Sequence, residues 1–200
     1  MGHDEHMEAG PVDFRAVEDI VGAANVLRDP DVIAGFAIDW TRRVQGAPAA
    51  VVRPRSTAEV AAVLAWAYEK SITIVPQGGN TGLVGGAIAS QGQVCMQLTR
   101  LDTIEPVDVV SGQVTVGAGV TLDALQRVAR EAGLRFAVDL AARSAATVGG
   151  MVATNAGGLH VIRHGPMRAQ VVGVEAVRAD GAVIGDLVED NPEDWSQFDL

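Results

Sequence analysis

An apolar, β-branched run, residues 72–75, empties into Pro76-Gln77-Gly78-Gly79-Asn80-Thr81-Gly82-Leu83-Val84-Gly85-Gly86, in which five of eleven residues are glycine. Glycine turns through positive φ without a Cβ penalty, so such a stretch can expose successive N–H groups on one concave side. The Thr81 hydroxyl adds a donor. A nest of this kind suits a diphosphate; the plain alternative is a surface turn between strands. Upstream, residues 51–52 read as a short strand. Ser56 caps a helix, and Glu59 three positions on completes a capping box. Val60, Val63, Leu64 and Ala67 form that helix's buried stripe. Residues 72–75 close a β-α-β unit as a strand that stops at Pro76.

Two familiar phosphate-binding patterns are excluded. The P-loop needs Gly-Lys-Ser/Thr, and no lysine follows any of these glycines. A dinucleotide fingerprint needs G-x-G-x-x-G; Gly117-Ala118-Gly119 comes nearest, but Leu122 occupies the third glycine's place.

Elsewhere, residues 14–27 have helical spacing through Val17, Ile20, Val21 and Ala24. Residues 94–98, 104–110 and 113–116 read as strands, the last two joined at Ser111-Gly112. Thr121 caps a helix bearing Leu122, Leu125, Val128 and Ala129, with Gly133 at its C′ position. A second glycine-rich stretch, residues 144–158, has two Gly-Gly pairs, Gly149-Gly150 and Gly157-Gly158, separated by small residues. Small side chains let a flat ligand lie close to the backbone, or let a helix pack closely; Ser144, Thr147, Thr154 and Asn155 add hydrogen-bonding groups. Residues 171–178 and 182–187 read as a hairpin across Ala179-Asp180-Gly181.

A net charge of −10 argues against a nucleic-acid partner, which needs a basic face, and against anionic membranes. It does not exclude an anionic cofactor held by backbone N–H groups. The lone Cys95, in an apolar run, cannot form an internal disulfide and reads as a buried apolar residue. The polar lead-in is no signal peptide, and no run is long enough to span a bilayer, so a cytoplasmic location is expected. His160 and His164 have a ligand-like spacing with no third ligand nearby, so no metal is expected. Arg143 and Arg163 flank the second stretch, as phosphate neutralisers or as surface ion pairs. Asp139 could cap the segment before Ser144. Asp39-Trp40-Thr41 reads as a packing segment.

The segments Pro76-Gln77-Gly78-Gly79-Asn80-Thr81-Gly82-Leu83 and residues 146–158 resemble those of FAD-linked oxidases of the vanillyl-alcohol oxidase, or PCMH, fold. Within it, the D-lactate, glycolate and D-2-hydroxyglutarate dehydrogenase branch is the most similar. Residues 48–60 and 173–181 extend the resemblance, which covers about residues 20–188. It implies an α+β fold: a PCMH-type FAD-binding domain of two α/β subdomains with the cofactor cleft between them. The expected division is a flexible N-terminus (1–12), a first subdomain (13–107) and a second, incomplete one (108–200). The resemblance implies that, after Pro76, residues Gln77, Gly78, Gly79, Asn80, Thr81, Gly82 and Leu83 wrap the FAD pyrophosphate. Ser144, Thr147, Gly149, Gly150 and Thr154 would line the second wall. Asn155, Ala156 and Gly157 would approach the isoalloxazine, and the backbone at 172–174, Val174 included, the adenine.

Family members that tether FAD covalently often use a histidine in the first loop; Asn80 stands there, so FAD is expected to be non-covalent. The family continues into further flavin-domain strands and a cap domain, of which residues 194–200 are a weak echo. The C-terminal part of the second subdomain and the cap are therefore expected to be absent. The implied function is oxidation of a small D-2-hydroxy acid by hydride transfer to flavin, with no catalytic base identified and a partner subunit or missing half required. The alternatives are a non-catalytic FAD-binding module, or a relative with another reaction, such as an enolpyruvyl reductase or sugar oxidase.

Overall fold

The computed structural model describes residues 12–185. Helix α1 (Arg15–Val21) is shorter than the helical spacing predicts, because Gly22 adopts φ 85° and ends it. The chain then extends as β1 (Val26–Leu27) and makes a short turn of helix, α2 (Pro30–Ile33). Strand β2 (Ala50–Val52) leads to α3 (Thr57–Glu69), followed by β3 (Ile74–Gln77) and β4 (Val94–Gln97). The sheet order is β1-β2-β4-β3, with β2, β4 and β3 parallel and β1 antiparallel at one edge.

Strand β3 does not stop at Pro76; it runs on to Gln77, with Pro76 in register opposite Met96. Proline lacks a ladder donor, and β3 can hold one because it is the other edge strand. Central β4 is buried along its whole length. Above the sheet, α3 starts where the Ser56 hydroxyl accepts the Glu59 N–H. The Glu59 carboxylate takes the Arg55 N–H rather than that of Ser56, so only half of the capping box forms. Val60, Val63 and Ala67 face the core as expected; Leu64 is half-buried, and Trp66 completes the stripe, its ring centroid 5.9 Å from that of Phe14 on α1's threshold.

The second apolar cluster gathers on α4 (Leu122–Glu131) and α5 (Val148–Ala153), from Val120, Leu122, Leu125, Val138, Ala146, Val148, Met151 and Met167. Thr121 caps α4, and Gly133, at φ 74°, ends it as predicted. Residues 104–116 do fold back on themselves, but only through isolated bridges, Ile104 to Val116 and Asp108 to Gln113. The Asp108 carboxylate occupies the Val110 and Ser111 N–H groups at the turn, which limits the ladder. After α6 (Val161–His164), β5 (Glu175–Val177) and β6 (Val183–Gly185) form the predicted hairpin in shortened form.

Two apolar clusters draw on residues from both sides of position 107. Ile104 packs with the second cluster, whereas Val177 packs with the first. Gly181 lies against α3, where an added Cβ would stand 2.7 Å from the Ala61 carbonyl oxygen. The hairpin thus returns to the first unit. Predictions for residues 1–11 and 186–200, including the echo at 194–200, lie outside the described residues.

Candidate functional site

The first glycine loop leaves the carboxyl end of β3, the position at which open α/β sheets receive ligands. Among the described residues, none of the main-chain N–H groups of residues 78–87 donates a hydrogen bond to the protein. A run of unshared donors is rare in a folded chain, because polar backbone groups almost always find partners. Water or an anion must take them.

Two side chains of this region, at Gln77 and Asn80, tie the loop to the rest of the fold. Buried Gln77 donates through Nε2 to the Phe36 carbonyl at 3.0 Å and to the Ala87 carbonyl at 2.9 Å, tying the loop's two ends together. Asn80 takes φ 52° and donates through Nδ2 to the Ile38 carbonyl at 2.8 Å. Both side chains therefore brace the loop, and the Asn80 main-chain N–H stays in the run expected to face the pyrophosphate. Pro76 is exposed at the sheet edge, Thr81 is half-buried, and Gly82 and Leu83 are exposed.

The two glycine-rich stretches meet. A Cβ on Gly78 would lie 2.2 Å from the Thr147 Oγ1, and one on Gly79 would lie 1.6 Å from the Ala145 carbonyl oxygen. Only glycine permits this approach, which joins the loop to residues 145–147.

The second stretch is not a nest. It forms α5, capped by Thr147, whose hydroxyl accepts the Gly150 N–H at 3.4 Å. The Val148 and Gly149 N–H groups donate to the Val120 and Ala118 carbonyls, both at 2.8 Å. Gly149 is required by packing, since a Cβ there would stand 2.7 Å from that of Ala118. Among the described residues of the two stretches, the run of undonated amides is that of 78–87, and α5 is the wall beside it. Ser144 and Gly150 are exposed at this wall. Thr154 is exposed and its hydroxyl donates to the Gly150 carbonyl. Asn155, at φ 48°, accepts the Arg168 N–H through Oδ1 at 3.0 Å. Ala156 and Gly157 are half-buried. Val174 stands at the head of the β5–β6 hairpin, whose contacts run to α3.

Arg163 is exposed on α6, while Arg143 and Asp139 pair with each other. Arg143 pairs with Asp139, donating from Nη2 at 2.6 Å as well as from Nε. Its guanidinium, helped by Gln126 and opposed by partial desolvation, holds the Asp139 carboxyl below the usual carboxylate value. Asp139 therefore caps nothing; its carbonyl accepts the Leu159 N–H at 2.7 Å and abuts Gly158. The His160 and His164 rings meet edge to face, and no group of three potential metal ligands forms among the described residues. Cys95 is buried, its thiol pushed up to about 12 by burial.

Sequence reasoning missed Asp39. It is buried, accepts from Thr41, Arg43 and Val44, and shapes the turn that carries the Ile38 carbonyl used by Asn80. The Thr41 hydroxyl, then the Val44 N–H, hold its pKa below the usual carboxylate value. The Asp-x-Thr spacing is a turn signal that could have revealed this role.

The sequence profile of a family described as FAD binding domain matches residues 48–185. A D-2-hydroxyglutarate dehydrogenase of Xanthomonas citri pv. viticola is 40% identical over 169 residues, covering 84% of this chain and 36% of that protein. The mitochondrial D-2-hydroxyglutarate dehydrogenase of Bos taurus is 38% identical over 175 residues, covering 88% of this chain and 32% of that protein. The chain thus spans about a third of the length of these curated relatives. The crystal structure of p-cresol methylhydroxylase superposes with a TM-score of 0.71 at 23% identity, over 85% of this chain and 34% of that one, a likeness of fold.

Proposed function

Because the chain belongs to the FAD binding domain family, we propose that it holds FAD non-covalently and is the flavin-binding part of a dehydrogenase acting on D-2-hydroxy acids. The observation that carries this reading is the run of unshared main-chain donors at 78–87, closed on one side by residues 145–147. Oriented N–H groups hold a diphosphate without a lysine or arginine, which suits a chain of charge −10. Gly78 and Gly79 keep the loop against the second wall, Gln77 and Asn80 brace it from behind, and Thr81 lends a hydroxyl. Gly150, Thr154, Ala156 and Gly157 offer small surfaces against which a flat ring can lie. FAD supplies the acceptor for a hydride from the substrate's α-carbon. A base for the hydroxyl proton is proposed to come from outside residues 12–185.

The names of the relatives favour this reading over a non-catalytic FAD-binding module, and they point to D-2-hydroxyglutarate or D-lactate as substrate class. No helix among the described residues is long and apolar enough to cross a membrane. The name of the bovine relative sets a mitochondrial location beside the cytoplasmic expectation; fractionation of source cells separates the two.

The test begins with FAD titrated into purified protein, followed by its visible spectrum. Bound flavin that is fully released on acid precipitation supports non-covalent binding; flavin left in the pellet refutes it. Anaerobic bleaching by D-2-hydroxyglutarate or D-lactate supports the dehydrogenase reading. A chain that binds no FAD overturns the whole proposal.

A further inference from the structure

We propose that Asp39 is a positioning residue for the cofactor loop: residues 36–46 form a buckle built round its carboxylate, and this buckle holds the loop so that the N–H groups of 78–87 remain free for a diphosphate. The inference rests on the FAD-binding reading and extends it to a segment outside the glycine motifs.

A loop with five glycines has much conformational freedom to lose, and its N–H groups would otherwise fold back on local carbonyls. The loop's own side chains prevent this only because fixed acceptors stand behind it. Those acceptors are the carbonyls of Phe36 and Ile38, which receive Gln77 and Asn80. Their position depends on the turn at 39–44. The Asp39 carboxylate accepts the Arg43 N–H at 2.9 Å and the Val44 N–H at 2.8 Å on Oδ1. On Oδ2 it accepts the Thr41 N–H at 3.2 Å and the Thr41 hydroxyl. The main chain closes the same turn, from Asp39 N to Val44 O at 3.0 Å and from Gly46 N to Ala37 O at 2.7 Å.

The buckle touches the loop at its far end as well. A Cβ on Gly85 would lie 2.7 Å from Val44 Cγ2, and the Ala47 N–H donates to the Ala89 carbonyl at 3.1 Å. The loop is thus gripped at its start, its middle and its end by one segment. Asp39 is 2% exposed and forms no ion pair with the described residues. A buried carboxylate held only by hydrogen bonds is costly unless it is fully satisfied. Four donors on two oxygens satisfy it, and no neutral side chain of this size offers the same acceptors.

The experiment measures the affinities of the chain for FAD and for ADP in the wild type, Asp39→Ala, Asp39→Asn and Thr41→Val, together with the visible spectrum of FAD at saturation. ADP carries the diphosphate without the flavin. We expect Asp39→Ala to weaken both ligands by the same factor, about tenfold or more, with the saturated flavin spectrum unchanged. Asp39→Asn and Thr41→Val, which keep part of the donor set, should fall in between. Unchanged ADP binding in these variants overturns the proposal, as does a changed flavin spectrum, which would mark a general structural role. If Asp39→Ala does not fold, the two milder variants carry the same comparison. A wild type that binds neither ligand refutes the FAD reading itself, and this inference with it.

Discussion

Replacing Gly79 by alanine tests how the two glycine-rich stretches meet. The added Cβ would stand 1.6 Å from the Ala145 carbonyl oxygen, 2.5 Å from its carbon and 3.3 Å from the Ala146 nitrogen. The oxygen is thus 1.8 Å short of the 3.4 Å at which ordinary contact begins. All three atoms are backbone, so no rotamer change relieves the clash. The Ala145 and Ala146 N–H groups are also tied to the Ala142 carbonyl, at 3.0 and 2.8 Å, which resists movement on that side. The loop must therefore shift outward, against the grip of Gln77 and Asn80. Overpacking of this kind costs about 1–3 kcal/mol, and each kcal/mol lowers Tm by roughly 2–4 °C in a chain of this length. Misaligned N–H donors to a charged ligand forfeit about 1.5–3 kcal/mol more, or roughly tenfold to a hundredfold in FAD affinity. Gly82→Ala is the control: nothing lies within 4 Å of its added Cβ, so stability and affinity should stay within about 0.5 kcal/mol of wild type. The assays are FAD titration and thermal unfolding followed by circular dichroism. Wild-type affinity in Gly79→Ala, or an equal loss in Gly82→Ala, would show that the loop is not held in this way.

Thr147→Val keeps the side chain's shape and removes the α5 cap. Because that bond is long, the expected loss is about 0.5–1 kcal/mol, read by denaturant unfolding, and an unchanged midpoint refutes the capping role. Cys95 is fully buried on β4, with its thiol pushed up to about 12; iodoacetamide at neutral pH should add mass only after denaturant unfolds the chain. The Asp39 pKa is lowered on folding, so its contribution is present above the usual carboxylate value and is lost as pH falls through the lower, folded value. FAD retention followed down the acid range should lose part of its dependence in Asp39→Asn. Asp108, Asp139 and Asp180 are lowered as well, so only the difference between variant and wild type isolates Asp39, and identical profiles would count against it.

The β-α-β unit was legible because its signals are local: a serine cap, an i, i+3, i+4 stripe and a β-branched run each specify one element. Trp66 escaped that reading because its burial depends on Phe14, more than fifty positions earlier. The strand through Pro76 was misjudged for a related reason. Proline ends a strand only where a neighbour needs its N–H, and whether β3 is an edge strand is set by β4, which had not yet been placed. The return of the β5–β6 hairpin to α3 was not legible either, because it is a long-range contact that no local pattern encodes.

The two glycine-rich stretches show where composition stops being informative. Both carry paired glycines and hydroxyl residues, yet their amides have opposite fates. In residues 148–151 the N–H groups are consumed by Ala118, Val120 and Thr147, because a hydroxyl cap and two nearby carbonyls stand in reach of a helical turn. In residues 78–87 none of the N–H groups donates to the described residues, while the side chains of Gln77 and Asn80 bond the carbonyls of Phe36, Ala87 and Ile38. Glycine makes a free amide sterically possible; only the competition for nearby acceptors decides whether it stays free. A search for diphosphate loops in sequences of this kind should therefore look beyond glycine content to amide side chains at the loop's entry and to a separate segment whose carbonyls they can reach. Here that segment is 36–46, whose Phe36 and Ile38 carbonyls receive Gln77 and Asn80.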